Sequence, residues 1–300
     1  MATTKQSGSH LETSPVRFRR ILVGVDLSPA SKLILQHAMA IADLYGAEVK
    51  VVSVLAPLIP GDGIEPASPM QIEAEMDAIR EQLERLAESC RIVGVPLSTE
   101  ATYGNAVALL EETALAIHAD LIVLGSQGDS GITRMVLGST AEAIARVAPC
   151  PVMIVGPACE MRGKPFESIL YASDLEIDQL RAAQYAAALA ERVDGQLTLL
   201  YVIEDQDERT RERTIPAEAL ARLQQLLPQD AALYCKPEFQ TRYGTPGETV
   251  PAVAAAMHAS LVVLGSKRRG LLASHAPWTT LARVVREARC PVLVVPGHLR

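Results

Sequence analysis

The residue types best suited to hold a phosphate lie in one stretch, Gly125–Thr140, GSQGDSGITRMVLGST. Gly125 is followed by Gly128, then by Gly138, and the run closes on the hydroxyls of Ser139 and Thr140. Glycine lets a backbone approach an anion closely, and the free amides of a first helical turn point at it. Such a loop needs a strand before it and a helix behind it. LIVLG (Leu121–Gly125) is a short, wholly apolar run of the kind found in parallel strands covered on both faces. TAEAIARVA, starting at Thr140, reads as a helix entered through a hydroxyl-bearing cap. A glycine-rich loop between the carboxyl end of a strand and the amino end of a helix is where an open parallel sheet binds anions. The stretch therefore predicts a nucleotide-phosphate site, with a plain turn as the other reading of Gly138.

The chemistry stops short of a phosphotransferase. No Gly-Lys-Ser/Thr occurs, and Gly163-Lys164 is followed by Pro165. No residue stands out as a base to orient water, so the enzyme reading is at most a slow nucleotide hydrolase with no assigned catalytic residue. Asp26, closing ILVGVDLS, either accepts a hydrogen bond from a ligand or caps the following helix with help from Ser28. Asn105 either faces a ligand or caps the third helix. His37 and His118 fall in helical contexts and read as structural.

Composition narrows the class. Apolar residues make up 49% of the chain with one Trp and three Phe, which means an aliphatic core of the α/β kind. A net charge of −7 argues against general affinity for nucleic acid or an anionic membrane surface. No apolar run reaches the roughly 18–20 residues that span a bilayer, and Met1–Arg20 lacks the apolar segment of a secretory signal. Cys90, Cys150, Cys159, Cys235 and Cys290 show no metal-ligand spacing. Cys150 and Cys290 precede Pro-Val and read as small buried residues, and free thiols fit a cytoplasmic protein.

The chain is written twice. ILVGVDLS at Ile21 answers to ILYASDLE at Ile169, HADLIVLGS at His118 to HASLVVLGS at His258, and Cys150-Pro151-Val152 to Cys290-Pro291-Val292. A period of about 140 residues is too long for a solenoid and right for tandem domains. Residues 1–18 read as a disordered lead-in, 19–156 as a first domain, 157–167 as a Gly/Pro-rich linker and 168–300 as a second domain. In the first copy, strands are expected at Arg20–Val25, Glu48–Leu55, Pro96–Thr102, Leu121–Gly125 and Val152–Val155. Helices are expected at Ala30–Tyr45, Met70–Val93, Ala106–His118 and Thr140–Ala148. The second copy repeats the strands at Ser168–Ser173, Gln196–Ile203, Glu238–Arg242, Leu261–Gly265 and Val292–Val295. This alternation predicts two Rossmann-like domains, each a parallel sheet with helices on both faces.

The first-strand Asp26, the Gly-x2-Gly-x9-Gly-Ser loop and the closing Cys-Pro-Val strand together resemble the universal stress protein family in its tandem form. The resemblance implies five strands in order 3-2-1-4-5 in each domain, with ligand over strands 1 and 4. It implies ATP as ligand, with AMP or another adenine nucleotide as alternatives, accompanied by magnesium or manganese. Asp26 and the Val54 backbone would take the base. Gly125 and Gly128 would approach the ribose and phosphates, and Gly138, Ser139 and Thr140 would hold the phosphate chain. It implies a stress-response protein whose nucleotide occupancy regulates shape or partner choice. A nucleotide-independent interaction or small apolar-ligand module is the alternative class. Fifth strands would pair in an internal pseudo-dimer, with a homodimer of whole chains beyond that. In the second copy Arg268 and Trp278 replace Gly128 and Gly138, so that domain is expected not to bind ATP as the first does. Lys267, Arg268 and Arg269 read there as an exposed basic loop.

Overall fold

The computed structural model describes residues 16–57, 68–126, 137–175, 180–204, 216–227, 237–266 and 276–297. The first half runs β1 (Arg20–Val25), α1 (Ser31–Tyr45), β2 (Glu48–Leu55), α2 (Pro69–Ser89), β3 (Leu97–Tyr103), α3 (Ala106–Ala116), β4 (Leu121–Gly125), α4 (Ser139–Val147) and β5 (Val152–Val155). The second repeats the order with β6 (Ser168–Ser173), α5 (Leu180–Val193), β7 (Gln196–Ile203), α6 (Pro216–Gln225), β8 (Pro237–Tyr243), α7 (Pro246–Ala256), β9 (Leu261–Ser266), α8 (Ala276–Glu287) and β10 (Val292–Pro296).

Each half orders its strands 3-2-1-4-5, and every pairing within a half is parallel. The two sheets are continuous. β5 and β10 pair antiparallel, with Leu293 opposite Met153, giving one sheet in the order β3-β2-β1-β4-β5-β10-β9-β6-β7-β8. Side chains alternate across this sheet into two apolar layers. Ile21, Val23 and Val25 enter one layer with Leu35 and Met39 of α1, Leu83 of α2, Leu189 of α5 and Leu223 of α6. Leu22 enters the other with Leu110 of α3, Ile144 of α4, Val250 of α7 and Val284 of α8. Both layers run on from one half into the other across the β5–β10 pair. Burial on both faces explains why LIVLG and VMIV carry no polar alternation.

Helix ends differ from expectation by local chemistry. α2 starts at Pro69 behind a Ser68/Gln71 capping box and stops at Ser89, well short of Val93. Its C-cap, Cys90, has φ −115°, and the exposed Val93 with Gly94 at φ +91° then forms a separate turn leading into β3. α3 ends at Ala116, and His118 follows at φ +50°; His258 repeats this at +52°. Asn105 is the N-cap of α3, its Oδ1 accepting from the Ala108 N–H at 3.0 Å. α4 lacks the hydroxyl cap that the sequence suggested. Its N-cap is Gly138, with no side-chain cap bond, and Ser139 is the first helical residue. The reason is that the Gly138 N–H donates to Ser126 O at 2.7 Å, which fixes the entry one residue earlier.

The junction beside β5 tolerates no side chain at Gly156, where a Cβ would lie 1.9 Å from the Val285 carbonyl oxygen of α8. Gly156→Ala should therefore lower unfolding free energy by about 1–3 kcal/mol, the usual range for overpacking, as read by urea denaturation. Asn105→Ala should cost about 1 kcal/mol through the lost cap. Unchanged stability in that variant would mean that the cap contributes nothing and would reopen a ligand role for Asn105.

Candidate functional site

Register brings the sequence-singled residues to one rim. Val25 lies opposite Ser53 on β2, and Gly24 opposite Leu124 on β4. One or two residues further, at the carboxyl ends of these three strands, come Asp26, Val54 and the Gly125-Ser126 pair. β1 continues into α1 in one apolar layer, whereas β4 leads to α4 in the other. The chain thus departs to opposite faces of the sheet at adjacent strands, the point at which such sheets bind ligands.

Asp26 is exposed and tied to its own turn. Its Oδ1 accepts from the Ser28 N–H and from the Ser31 hydroxyl, both at 3.0 Å. Between these contacts Leu27 takes φ +62°, an uncommon conformation for leucine that the two bonds brace. The N-cap of α1 is Ala30, without a side-chain bond, so Asp26 closes the preceding turn rather than capping the helix. Both of these bonds fall on one carboxylate oxygen, and Oδ2 takes part in neither. Val54 is half-buried on the α3/α4 side, opposite Thr102. Next to it, the Leu55 carbonyl accepts from the Gly104 N–H at 3.0 Å.

The loop leaves and returns at the same place. Ser126 N–H donates to Val155 O at 3.0 Å, and Ser126 O accepts from Gly138. Gly128 lies outside the described residues. Gly138 has φ −55° and ψ 141°, which any residue adopts, so the backbone conformation does not require glycine there. The first intrahelical bond runs from Glu142 N–H to Gly138 O at 2.9 Å, so the amides of Ser139, Thr140 and Ala141 precede it. Three donors at the positive end of the helix dipole suit an anion. The only acid of this first turn, Glu142, pairs with Arg146 at 2.6 Å. Ser126 was missed in the sequence, although the repeated LGS before each loop is the signal for it. It is buried and anchors both ends of the loop.

The same rim is built differently in the second half. Leu175 repeats the positive φ at +60°, its N–H bound to Ser173 Oγ at 3.0 Å. α8, however, starts at Ala276, so the backbone at 278, the counterpart of Gly138, already lies within the helix. The counterparts of Ser139 to Ala141 are then helix-interior positions, where amides are used by the helix itself. α7 and α8 are also bridged. Arg283 Nη2 donates to Glu248 Oε1 at 2.6 Å, and Thr245 Oγ1 to Glu248 Oε2 at 2.9 Å. The equivalent first-half positions hold Ala143 and Ala108. Lys267, Arg268 and Arg269 lie outside the described residues.

Three buried groups away from the rim are neutral. Burial lowers His37 to about 4 and raises Cys150 and Cys290 to about 12, so at neutral pH the imidazole is uncharged and both thiols keep their protons. Among the described residues no cluster of His, Cys, Asp and Glu could hold a metal ion, and no helix is long and apolar enough to cross a membrane.

Comparison with known proteins agrees with this geometry. The sequence model of the universal stress protein family matches twice, over residues 17–156 and 165–296. Universal stress protein A homolog 1 of Coxiella burnetii is 33% identical over 141 residues, covering 47% of this chain and 97% of that protein. A universal stress protein of Mycolicibacterium smegmatis is 26% identical over 292 residues, covering 92% and 96%. The crystal structure of a universal stress protein from Archaeoglobus fulgidus shares the fold with a TM-score of 0.73 at 21% identity, covering 93% of this chain and 97% of that one. With both halves matched and the duplicated α/β sheet in view, the chain belongs to the universal stress protein family, in tandem form.

Proposed function

We propose that this protein binds one ATP at the first-half rim and uses its occupancy to regulate conformation or partner choice in a cytoplasmic stress response. The observation that carries the reading is the set of three amides at Ser139, Thr140 and Ala141, not spent within α4. They lie at the same sheet edge as the Asp26 carboxylate. In this reading Asp26 Oδ2 accepts from the exocyclic amine while Oδ1 keeps the turn, and the Val54 backbone takes the other side of the base. Gly125 and Gly128 admit the ribose and phosphates, and the amides after Gly138, with the Ser139 and Thr140 hydroxyls, hold the phosphate chain. The divalent cation, magnesium or manganese, is carried by the phosphate oxygens. AMP would satisfy the base-binding groups equally but use the amides less fully.

The second half stays empty of ATP because α8 begins early and uses the corresponding amides. The antiparallel bond of β5 to β10 supports an internal pseudo-dimer of units 19–156 and 168–300 joined by 157–167. A further dimer of whole chains is part of the same proposal.

Calorimetric titration with ATP and magnesium should give one site per chain; two equivalent sites would overturn the asymmetry. Asp26→Ala should weaken binding at least tenfold, since a charge-assisted hydrogen bond contributes about 1.5–3 kcal/mol. Asp174→Ala should leave affinity unchanged. Gly138→Trp should abolish binding while melting as the wild type does, because φ at 138 accommodates any residue. Wild-type affinity in that variant would show that position 138 does not face the phosphates.

A further inference from the structure

One cluster of reactive side chains lies apart from the rim, where the segment joining the halves meets α1 and β10. Cys159 Sγ is 3.3 Å from His37 Nε2 on α1. The segment is held there by its backbone. Gly156 abuts Val285 of α8, the Cys159 N–H donates to Gly156 O at 3.2 Å, and the Glu160 N–H donates to Arg289 O at 3.1 Å. That last bond joins the residue after Cys159 to the residue before Cys290, so the two cysteines flank one interstrand-like hydrogen bond. Their separation is then of the order a disulfide requires, roughly 4.4–6.8 Å between Cα atoms. Both thiols are free and buried. Burial is the main cause of the rise of the Cys159 thiol to about 12, and the charge of Cys290 adds to it, as expected for two sulfurs close enough to repel as thiolates. A cavity of about 20 Å³, lined by His37, Glu160, Arg162, Lys164 and Arg289, reaches Cys290. It has room for a molecule the size of water or hydrogen peroxide.

We propose that Cys159 and Cys290 are a redox pair that closes into a reversible disulfide under hydrogen peroxide. Cys290 lines the cavity and reacts first. Its sulfur bonds to one peroxide oxygen as the O–O bond breaks, and the departing hydroxide takes the thiol proton and leaves as water. The resulting sulfenic acid is attacked by the sulfur of Cys159, held in place by His37; the S–O bond breaks and a second water leaves with the Cys159 proton. The two thiols lose two electrons and peroxide is reduced to two waters. A dithiol reverses the step. Protonated resting thiols react slowly, which sets the pair to respond to sustained oxidant, in keeping with the transient disulfides of reducing compartments.

The test uses the full chain treated with hydrogen peroxide well below its melting temperature, followed by peptide mapping without reduction. The expected result is a single cross-link between the peptides of Cys159 and Cys290, released by dithiothreitol. Oxidised protein should melt several degrees higher, because the link closes a long loop. Cys159→Ser and Cys290→Ser should each remove the cross-link. Cys90 and Cys150, equally buried, serve as witnesses and should stay free. Oxidation of these witnesses at the same rate, a link from Cys159 or Cys290 to another cysteine, or sulfinic acid at Cys290 without a link would each overturn the proposal.

Discussion

Everything in this molecule depends on the antiparallel contact between β5 and β10. VMIV and VLVV are apolar on both faces and would each be an open, uncharged sheet edge if left alone. Their pairing removes both edges at once, and the strands left outermost, β3 and β8, are polar. Lys50 and Glu100 form an ion pair at 2.6 Å across β2 and β3, and β8 carries Glu238 and Arg242. The same contact joins the apolar layers of the two halves on each face of the sheet, and on one face Phe166, Tyr45 and Phe18 form a chain of edge-to-face rings. Arg192 of α5 extends this contact by donating to the Leu44 carbonyl at the end of α1. Duplication thus gave two copies of one α/β unit that share a continuous sheet.

Within that frame, the two rims are built differently on one fold. The turn after the first strand is kept in both halves, down to the positive φ at Leu27 and Leu175. What changes is where the last helix begins. Ending the loop at Gly138 leaves the Ser139, Thr140 and Ala141 amides without an acceptor inside α4, and buried donors of this kind need a partner from outside the helix. Starting the helix at Ala276 consumes them and favours stability over recognition. The Arg283–Glu248–Thr245 bridge adds rigidity at the same corner; being exposed, it contributes modestly.

Most strands were legible because parallel strands buried on both faces leave an apolar run, and because each run occurs twice; their order was legible only through the family resemblance. Helix ends were less legible. α2 ends where Cys90 leaves helical geometry at φ −115°, although the amphipathic pattern continues past it. The cap of α4 was misread because Ser139 and Thr140 look like caps, whereas a tertiary hydrogen bond from Gly138 to Ser126 decides the entry. Asp26 shows the same limit. Its type and place were plain, but two local hydrogen bonds on a single oxygen belong to geometry alone. Cys159 offered no signal in the sequence, because its neighbours His37 and Cys290 are distant along the chain.

The junction also gives the molecule a direction. Strands run parallel within each half and reverse across β5 and β10, so the carboxyl ends of the first five point away from those of the second five. The rim at Gly138 and the rim at Ala276 therefore open at opposite poles. No compact molecule can touch both, and a macromolecule seated on one pole leaves the other free. The chain is two-faced by construction, and whatever approaches one rim comes from the side opposite to the other.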